Sequence, residues 1–148
     1  MKILMLCLGN ICRSPLAEGI LRAKISEEHE VDSAGTSNYH EGNLADPRSI
    51  QTAEFHGIDI RNHRSRPLTT ADFKYFDKIY CMDEQNYRDA LRLAENEEER
   101  QKLTLILDGG AEVPDPYYGG VGGFEKVYAL LDKACDKIAE KINTQTPL

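Results

Sequence analysis

The chain has 148 residues, with 41% hydrophobic and 29% charged side chains, which is the size and make-up of one globular domain able to bury a full core. A net charge of −7 argues against nucleic acid or an anionic membrane as the main partner, so any phosphate site must be a local electropositive feature. The longest early apolar run is too short for a signal peptide, and no stretch nears the roughly 18 apolar residues of a membrane span. Four cysteines without C-x-x-C spacing read as free thiols of a cytoplasmic protein.

Lys2–Cys7 reads as a strand buried on both faces. Ser14 then falls where a helix N-cap belongs and Pro15 where the first helical residue belongs. Leu16, Ile20, Leu21 and Ile25 space the apolar stripe of a helix that should end near Glu27-Glu28. Glu30–Ala34 is a second strand stopped by Gly35, and Ser37–Asn43 is a loop. Asp46-Pro47 repeats the cap-plus-proline signal, opening a helix to about His56 that Gly57 closes. Arg61–Pro67 is a basic connection, and Thr69/Thr70 open a short helical turn through Tyr75.

Lys78–Met82 is the third strand, with Asp83 as N-cap of a helix over Glu84–Leu93. Glu95–Arg100 reads as a solvated charge run, and Leu103–Leu107 as the fourth strand. The glycine- and proline-rich stretch Asp108–Gly123 is a long loop. Phe124–Ile142 is the last helix, on the 3-4 spacing of Val127, Leu130, Leu131, Ala134, Ile138 and Ile142, followed by a frayed tail over Thr144–Leu148. Strands alternating with helices imply a parallel sheet covered on both faces, with its ligand beyond the carboxyl ends of the strands. Cys7, Asp83 and Asp115 would all face that crevice.

The run Cys7-Leu8-Gly9-Asn10-Ile11-Cys12-Arg13-Ser14-Pro15 is a C-x5-R pattern, weak evidence until its setting is added. A strand ends at the cysteine and a helix opens after the arginine. Gly9 and Asn10 tolerate left-handed backbone, so the amides of the loop from Leu8 through Ser14 can turn inward as an anion nest. The same field favours thiolate over thiol at Cys7. Arg13 offers a planar fork for two oxygens of a phosphoryl group. Asp115, held extended before Pro116, could protonate a leaving oxygen and later activate water, with Asp83 and Asp108 as rival acids. His29, His40, His56 and His63 show no metal-ligand spacing, so neither metal nor other cofactor is expected.

With Leu16-Ala17-Glu18, Asp32-Ser33-Ala34-Gly35-Thr36, Cys81-Met82-Asp83 and Asp115-Pro116-Tyr117-Tyr118-Gly119 added, the chain resembles the low-molecular-weight protein-tyrosine phosphatases along nearly its whole length. That resemblance implies a flavodoxin-like α/β fold, a four-stranded parallel sheet with helices on both faces, spanning residues 1–148 as one domain. It implies Cys7 as nucleophile, Arg13 as phosphate clamp and Asp115 as general acid, acting on tyrosine-phosphorylated protein through a cysteinyl-phosphate. Phosphate, vanadate and similar oxyanions would inhibit by filling the cradle. The resemblance also places Ser33 and His63 as braces of a strained Asn10, and Tyr39, His40, Tyr117 and Tyr118 around the pocket. It allows a protective disulfide between Cys7 and Cys12. A thioredoxin-linked arsenate reductase would need further neighbouring cysteines, and an arginine phosphatase carries Thr where Ile11 stands. A non-catalytic phosphate-binding module would have no use for an acid at Asp115.

Overall fold

The computed structural model describes residues 1–119 and 121–144, with Val121 described by its backbone alone. Of the expected tail, residues 145–148 lie outside the described residues, as does Gly120 of the long loop. In chain order the elements are β1 (Lys2–Cys7), α1 (Arg13–Arg22), β2 (Glu30–Gly35), α2 (Pro47–Phe55), α3 (Thr70–Tyr75), β3 (Lys78–Cys81), α4 (Glu84–Leu91), α5 (Glu97–Arg100), β4 (Leu103–Leu105) and α6 (Val121–Asn143). A 3₁₀ turn over Asp108–Gly110 precedes the loop that leads into α6.

The strands form one parallel sheet in the order β2-β1-β3-β4. β1 pairs with β2 from Lys2↔Glu30 to Cys7↔Gly35 and with β3 up to Leu6↔Cys81. Chain direction across the sheet therefore reverses between β1 and β3, and the crevice this opens lies beyond Cys7.

Alternation along β1 divides its side chains between two cores. Ile3, Met5 and Cys7 pack with α1 and α6 through Leu16, Ile20, Val127 and Leu131, while Leu4 and Leu6 pack with Phe73, Phe76 and Ala90 on the other face. Burial of each such aliphatic side chain contributes on the order of 1.5–3 kcal/mol, so both faces of β1 are fixed and its end is a firm platform. Helices cover the sheet on both sides, as the alternating pattern implies.

Several boundaries differ from the sequence reading for local reasons. α1 begins at Arg13, one residue before the expected cap, and Cys12 holds the N-cap position with no side-chain hydrogen bond. Pro15 is then the third helical residue, still within the first turn, where its missing N–H costs nothing. α1 stops at Arg22 rather than near Glu27, while Ile25 still packs against the core from the turn that follows. β4 closes at Leu105. The cap-and-proline reading of α2 holds: Asp46 accepts from the Arg48 N–H, and Gly57 at φ 82° ends the helix.

Candidate active site

The loop from Leu8 to Cys12 turns on Asn10, the one non-glycine residue with positive φ (56°) among the described residues. Asparagine tolerates this left-handed geometry, and every polar atom of its buried side chain is engaged. Its Nδ2 donates to Ser14 Oγ at 2.7 Å and to Ser33 Oγ at 3.0 Å, while Oδ1 accepts the Arg66 N–H at 3.0 Å. Its carbonyl accepts from His63 Nε2 at 2.7 Å, so that nitrogen carries the proton. Because Ser14 Oγ accepts from Asn10, its own hydrogen is free for Cys7 Sγ, 3.0 Å away. Ser33 in turn donates to Glu18 Oε1 at 2.6 Å, and Arg22 pairs with the same carboxylate. The expected braces Ser33 and His63 thus meet at Asn10.

Two expectations, on Ser14 and on Gly9, change. Ser14 caps nothing; its hydroxyl is committed to Asn10 and Cys7. The side chains of Asn10 and Ser14 are fully buried and do not line the cleft, so any part they take in holding an anion falls to their backbone amides, as the sequence reading has it. Gly9 does not have left-handed backbone; it is small because a Cβ there would come within 2.9 Å of His40 Cδ2. Gly35 is small for a similar reason, since a Cβ would stand 2.8 Å from the Leu8 carbonyl oxygen.

Arg13 extends from the first turn of α1 with a side chain only 2% exposed. Nη1 donates to Asp83 Oδ2 at 2.7 Å and to the Val113 carbonyl at 2.9 Å. Nη2 lies 3.6 Å from Asp115 Oδ2, and Nε has no partner among the described residues. One edge of the guanidinium is therefore anchored, and the Nε–Nη2 edge is left for a ligand with two oxygens. Burial works against its charge, but Cys7, Asp83 and Asp115 outweigh that and raise its pKa. Asp83 uses its other oxygen to cap α4 through the Asn86 N–H at 2.8 Å.

A cleft of about 440 Å³ opens over these groups. Its floor is Cys7, Leu8, Gly9, Ile11, Cys12 and Arg13, and its sides are Tyr39, His40, Tyr117, Tyr118 and Asp115. The rings meet in sequence: Tyr39 edge-on to His40 at 4.8 Å, His40 tilted toward Tyr117 at 6.1 Å, Tyr117 edge-on to Tyr118 at 4.8 Å. Asp115 lies on the rim, 38% exposed, with Oδ1 accepting the Tyr117 N–H at 3.0 Å. Asp108, the third acid considered, is outside the cleft and pairs with Lys137 at 3.2 Å. All four cysteines are buried free thiols, and burial, followed by the charges of Asp46 and Cys7, pushes Cys12 up to about 12.

A strand-ending thiol, an anchored guanidinium and a rim carboxyl around one aromatic-walled cleft form a phosphate-ester site. The family model described as low molecular weight phosphotyrosine protein phosphatase matches residues 2–148. The chain belongs to this family. It is 41% identical over 151 residues to the human low molecular weight phosphotyrosine protein phosphatase, covering 95% of this chain and 94% of the human one. A crystal structure of a protein tyrosine phosphatase from Entamoeba histolytica, with Hepes in its active site, superposes with a TM-score of 0.92 at 39% identity, over 99% of both chains. Wzb of Vibrio vulnificus in complex with benzylphosphonate superposes at 0.88 with 33% identity, over 95% of this chain and 97% of that one.

The protein is thus a protein-tyrosine phosphatase, a hydrolase acting on phosphorylated protein. Among its described residues no helix is long and apolar enough to cross a membrane, and no three His, Cys, Asp or Glu side chains group as metal ligands. Sequence reasoning missed three residues of the phosphatase's site. Ser37 lines the cleft, Glu18 anchors the Asn10 network through Ser33, and Arg48 reaches the Tyr117 carbonyl from α2. Glu18 belongs to the run that carries the family resemblance, but it looks like an ordinary charge in an early helical turn and its spacing gives no sign of a partner at Ser33. Asp46-x-Arg48 is visible as a pattern, but its reach across the cleft is not.

Proposed function

We propose that Cys7 attacks phosphorus in line with the phenolic oxygen while Asp115 protonates that oxygen, so that the S–P bond forms as the P–O bond breaks. Arg13 receives two equatorial oxygens on its Nε–Nη2 edge, and the loop amides from Leu8 to Ser14 receive the others. The Ser14 hydroxyl donates to Cys7 sulfur and holds it in place for attack and for departure. In the second step Asp115, now a carboxylate, takes a proton from water as it attacks phosphorus, and the S–P bond breaks to release inorganic phosphate.

The observation that carries this reading is the split use of Arg13: one edge is locked by Asp83 and Val113, and the other is left open beside Cys7 and Asp115. The choice among acids follows from occupancy. Both oxygens of Asp83 already accept strong hydrogen bonds, Asp108 lies outside the cleft, and Asp115 stands on the rim where a leaving group would depart.

Apolar Ile11 and the tyrosine and histidine rings favour an aryl phosphate over phosphoserine or phosphoarginine. The benzylphosphonate held by the Vibrio protein has that shape. Phosphate and vanadate inhibit by occupying the same cradle. A redox relay of the arsenate-reductase kind is disfavoured, because Cys81 and Cys135 are fully buried and burial raises both thiols, Cys135 to about 12. Four buried free thiols suit a reducing compartment, which supports the reading of a cytoplasmic enzyme.

Turnover of aryl phosphate, phosphotyrosine, phosphoserine and phosphoarginine without added metal tests the reading. Cys7→Ser should abolish turnover while binding phosphate or vanadate almost as well, because an alkoxide is far harder to form than a thiolate. Activity within about tenfold of wild type would make Cys7 a structural cysteine and end the mechanism.

A further inference from the structure

We propose that Arg48 is a positioning residue for the carboxyl of Asp115, coupling the phosphate loop to the acid loop across the cleft. The inference rests on the acid role proposed for Asp115.

The coupling is a continuous run of hydrogen bonds. The Asp46 N–H donates to the Ile11 carbonyl at 2.8 Å, which fixes the start of α2 to the phosphate loop. The Asp46 carboxylate then accepts the Arg48 fork, Nε to Oδ1 at 3.0 Å and Nη2 to Oδ2 at 2.9 Å. That fork is the leading cause of a lowered Asp46 pKa. The same Nη2 donates to the Tyr117 carbonyl at 3.0 Å. On the other side of that residue, the Tyr117 N–H donates to Asp115 Oδ1 at 3.0 Å. Arg48 also lies over aromatic faces, 4.6 Å from the Phe124 ring centre and 5.5 Å from that of Tyr117.

A guanidinium has the donors for all of this in one plane, and an ammonium does not. The second Asp-x-Arg in the chain shows the bland alternative. Arg61 forms the same fork on Asp59, with both side chains more than half exposed, and among the described residues its side chain bonds to Asp59 alone. Arg48 repeats that local geometry and adds the Tyr117 carbonyl and two rings, which are contacts with the acid's own loop and with the helix behind it.

The expected consequence is specific to proton transfer. Loss of Arg48 would leave Cys7, Arg13 and the amide loop in place while the acid carboxyl loses its fixed distance to the leaving oxygen. A misplacement of about 1 Å can cost on the order of 10²-fold.

The test is kcat/KM for a series of aryl phosphates of graded phenol acidity, with wild type, Arg48→Met, Asp115→Asn and the double variant, alongside inhibition by inorganic phosphate. We expect Arg48→Met to lose about 10- to 100-fold with the least acidic phenol and to approach wild type with the most acidic. Phosphate inhibition should be unchanged, and Arg48→Met should have little further effect in the Asp115→Asn background. If Arg48→Met does not fold, Arg48→Lys makes the same comparison, keeping the charge but losing the fork, with a smaller loss of the same signature. A loss equal for all phenols, weakened phosphate inhibition, or full additivity with Asp115→Asn would make Arg48 a structural ion pair and overturn the inference. If Asp115→Asn itself shows no dependence on the phenol, the acid reading has failed, and the inference falls with it.

Discussion

Asn10 commits every polar atom of its side chain to buried partners, whereas Asp115, on the rim of the cleft, is more than a third exposed and is held by one backbone N–H and a guanidinium 3.6 Å away. The phosphate loop is fixed from beneath by Ser14, Ser33 and His63, and through Ser33 by Glu18. The acid loop is tied down at separate points: Val113 to Met82 and Arg13, Tyr117 to Arg48. The difference matches what the proposed mechanism asks of each loop. An oxyanion cradle works by dipoles that need no reorganisation, so rigidity there lowers the barrier directly. A proton donor has to serve two steps and let a bulky aryl group leave, which a fully buried carboxyl could not do.

If that contrast is right, damage on the acid side should affect rate alone and damage on the cradle side should affect rate and stability together. The largest effect expected is from Asp115→Asn, a loss of about 10²–10⁴ in kcat/KM that shrinks as the phenol becomes more acidic. Stability should stay within about 0.5 kcal/mol of wild type, as for an exposed site. Asp83→Asn and Asp108→Asn should lack the leaving-group dependence. Its appearance with either of them, and not with Asp115, would reassign the acid.

Arg13→Lys comes next. A point charge cannot keep Asp83 and the Val113 carbonyl on one side while offering two donors on the other, so the loss should be about 10²–10³-fold, close to that of Arg13→Ala. Recovery to near the wild-type rate with Lys would reduce Arg13 to a source of positive charge.

Asn10 gives a test on the stability side. Asn10→Ala forces alanine into left-handed backbone and strands buried partners at Ser14, Ser33 and the Arg66 N–H, for a loss of about 2–4 kcal/mol in urea unfolding. Asn10→Gly removes the same bonds without the backbone penalty and should be milder by about 1 kcal/mol. Equal stability of Asn10→Ala and wild type would mean that the network does not hold the loop.

The same contrast decides what the sequence reveals. Strand β1, the cap-and-proline start of α2 and the loop from Cys7 to Arg13 are legible from short local patterns and the parallel sheet from the alternation of strands and helices, whereas the residues around the cleft come from the family resemblance. Ser14 shows where local reading ends: Ser-Pro is a sound capping signal, yet the hydroxyl is drawn to Cys7 and Asn10 by tertiary contacts, and α1 starts two residues earlier, at Arg13, without a side-chain cap. Ile25 keeps its apolar spacing and packs, partly buried, against the core although the helix has already ended, so periodicity reports the packed face rather than the backbone. Glu18 and Arg48 escape because their partners lie 15 and 69 residues away. Asp46-x-Arg48 and Asp59-x-Arg61 look alike in sequence, and only the fold separates a strut from a surface pair.

The smallest effect concerns Cys12, on the rigid side of the comparison. Burial first, then Asp46 and Cys7, raise its thiol from an ordinary value near 9 to about 12. The folded chain therefore keeps this proton where the unfolded chain releases it. The folded pKa is the higher one, so there is no penalty below about pH 9, and stability is lost as pH rises from about 9 toward 12. The contribution of one thiol is at most about 1.4 kcal/mol per pH unit in that window. Urea unfolding at pH 8, 9 and 10 should show wild type losing stability more steeply above pH 9 than Cys12→Ala, with parallel behaviour below it. Cys81 and Cys135 are raised by burial as well and stay in both proteins, so the difference isolates Cys12. Identical slopes above pH 9 would mean that the Cys12 thiol ionises freely in the folded loop, and the cradle would then be far more open to water than its buried hydrogen bonds imply.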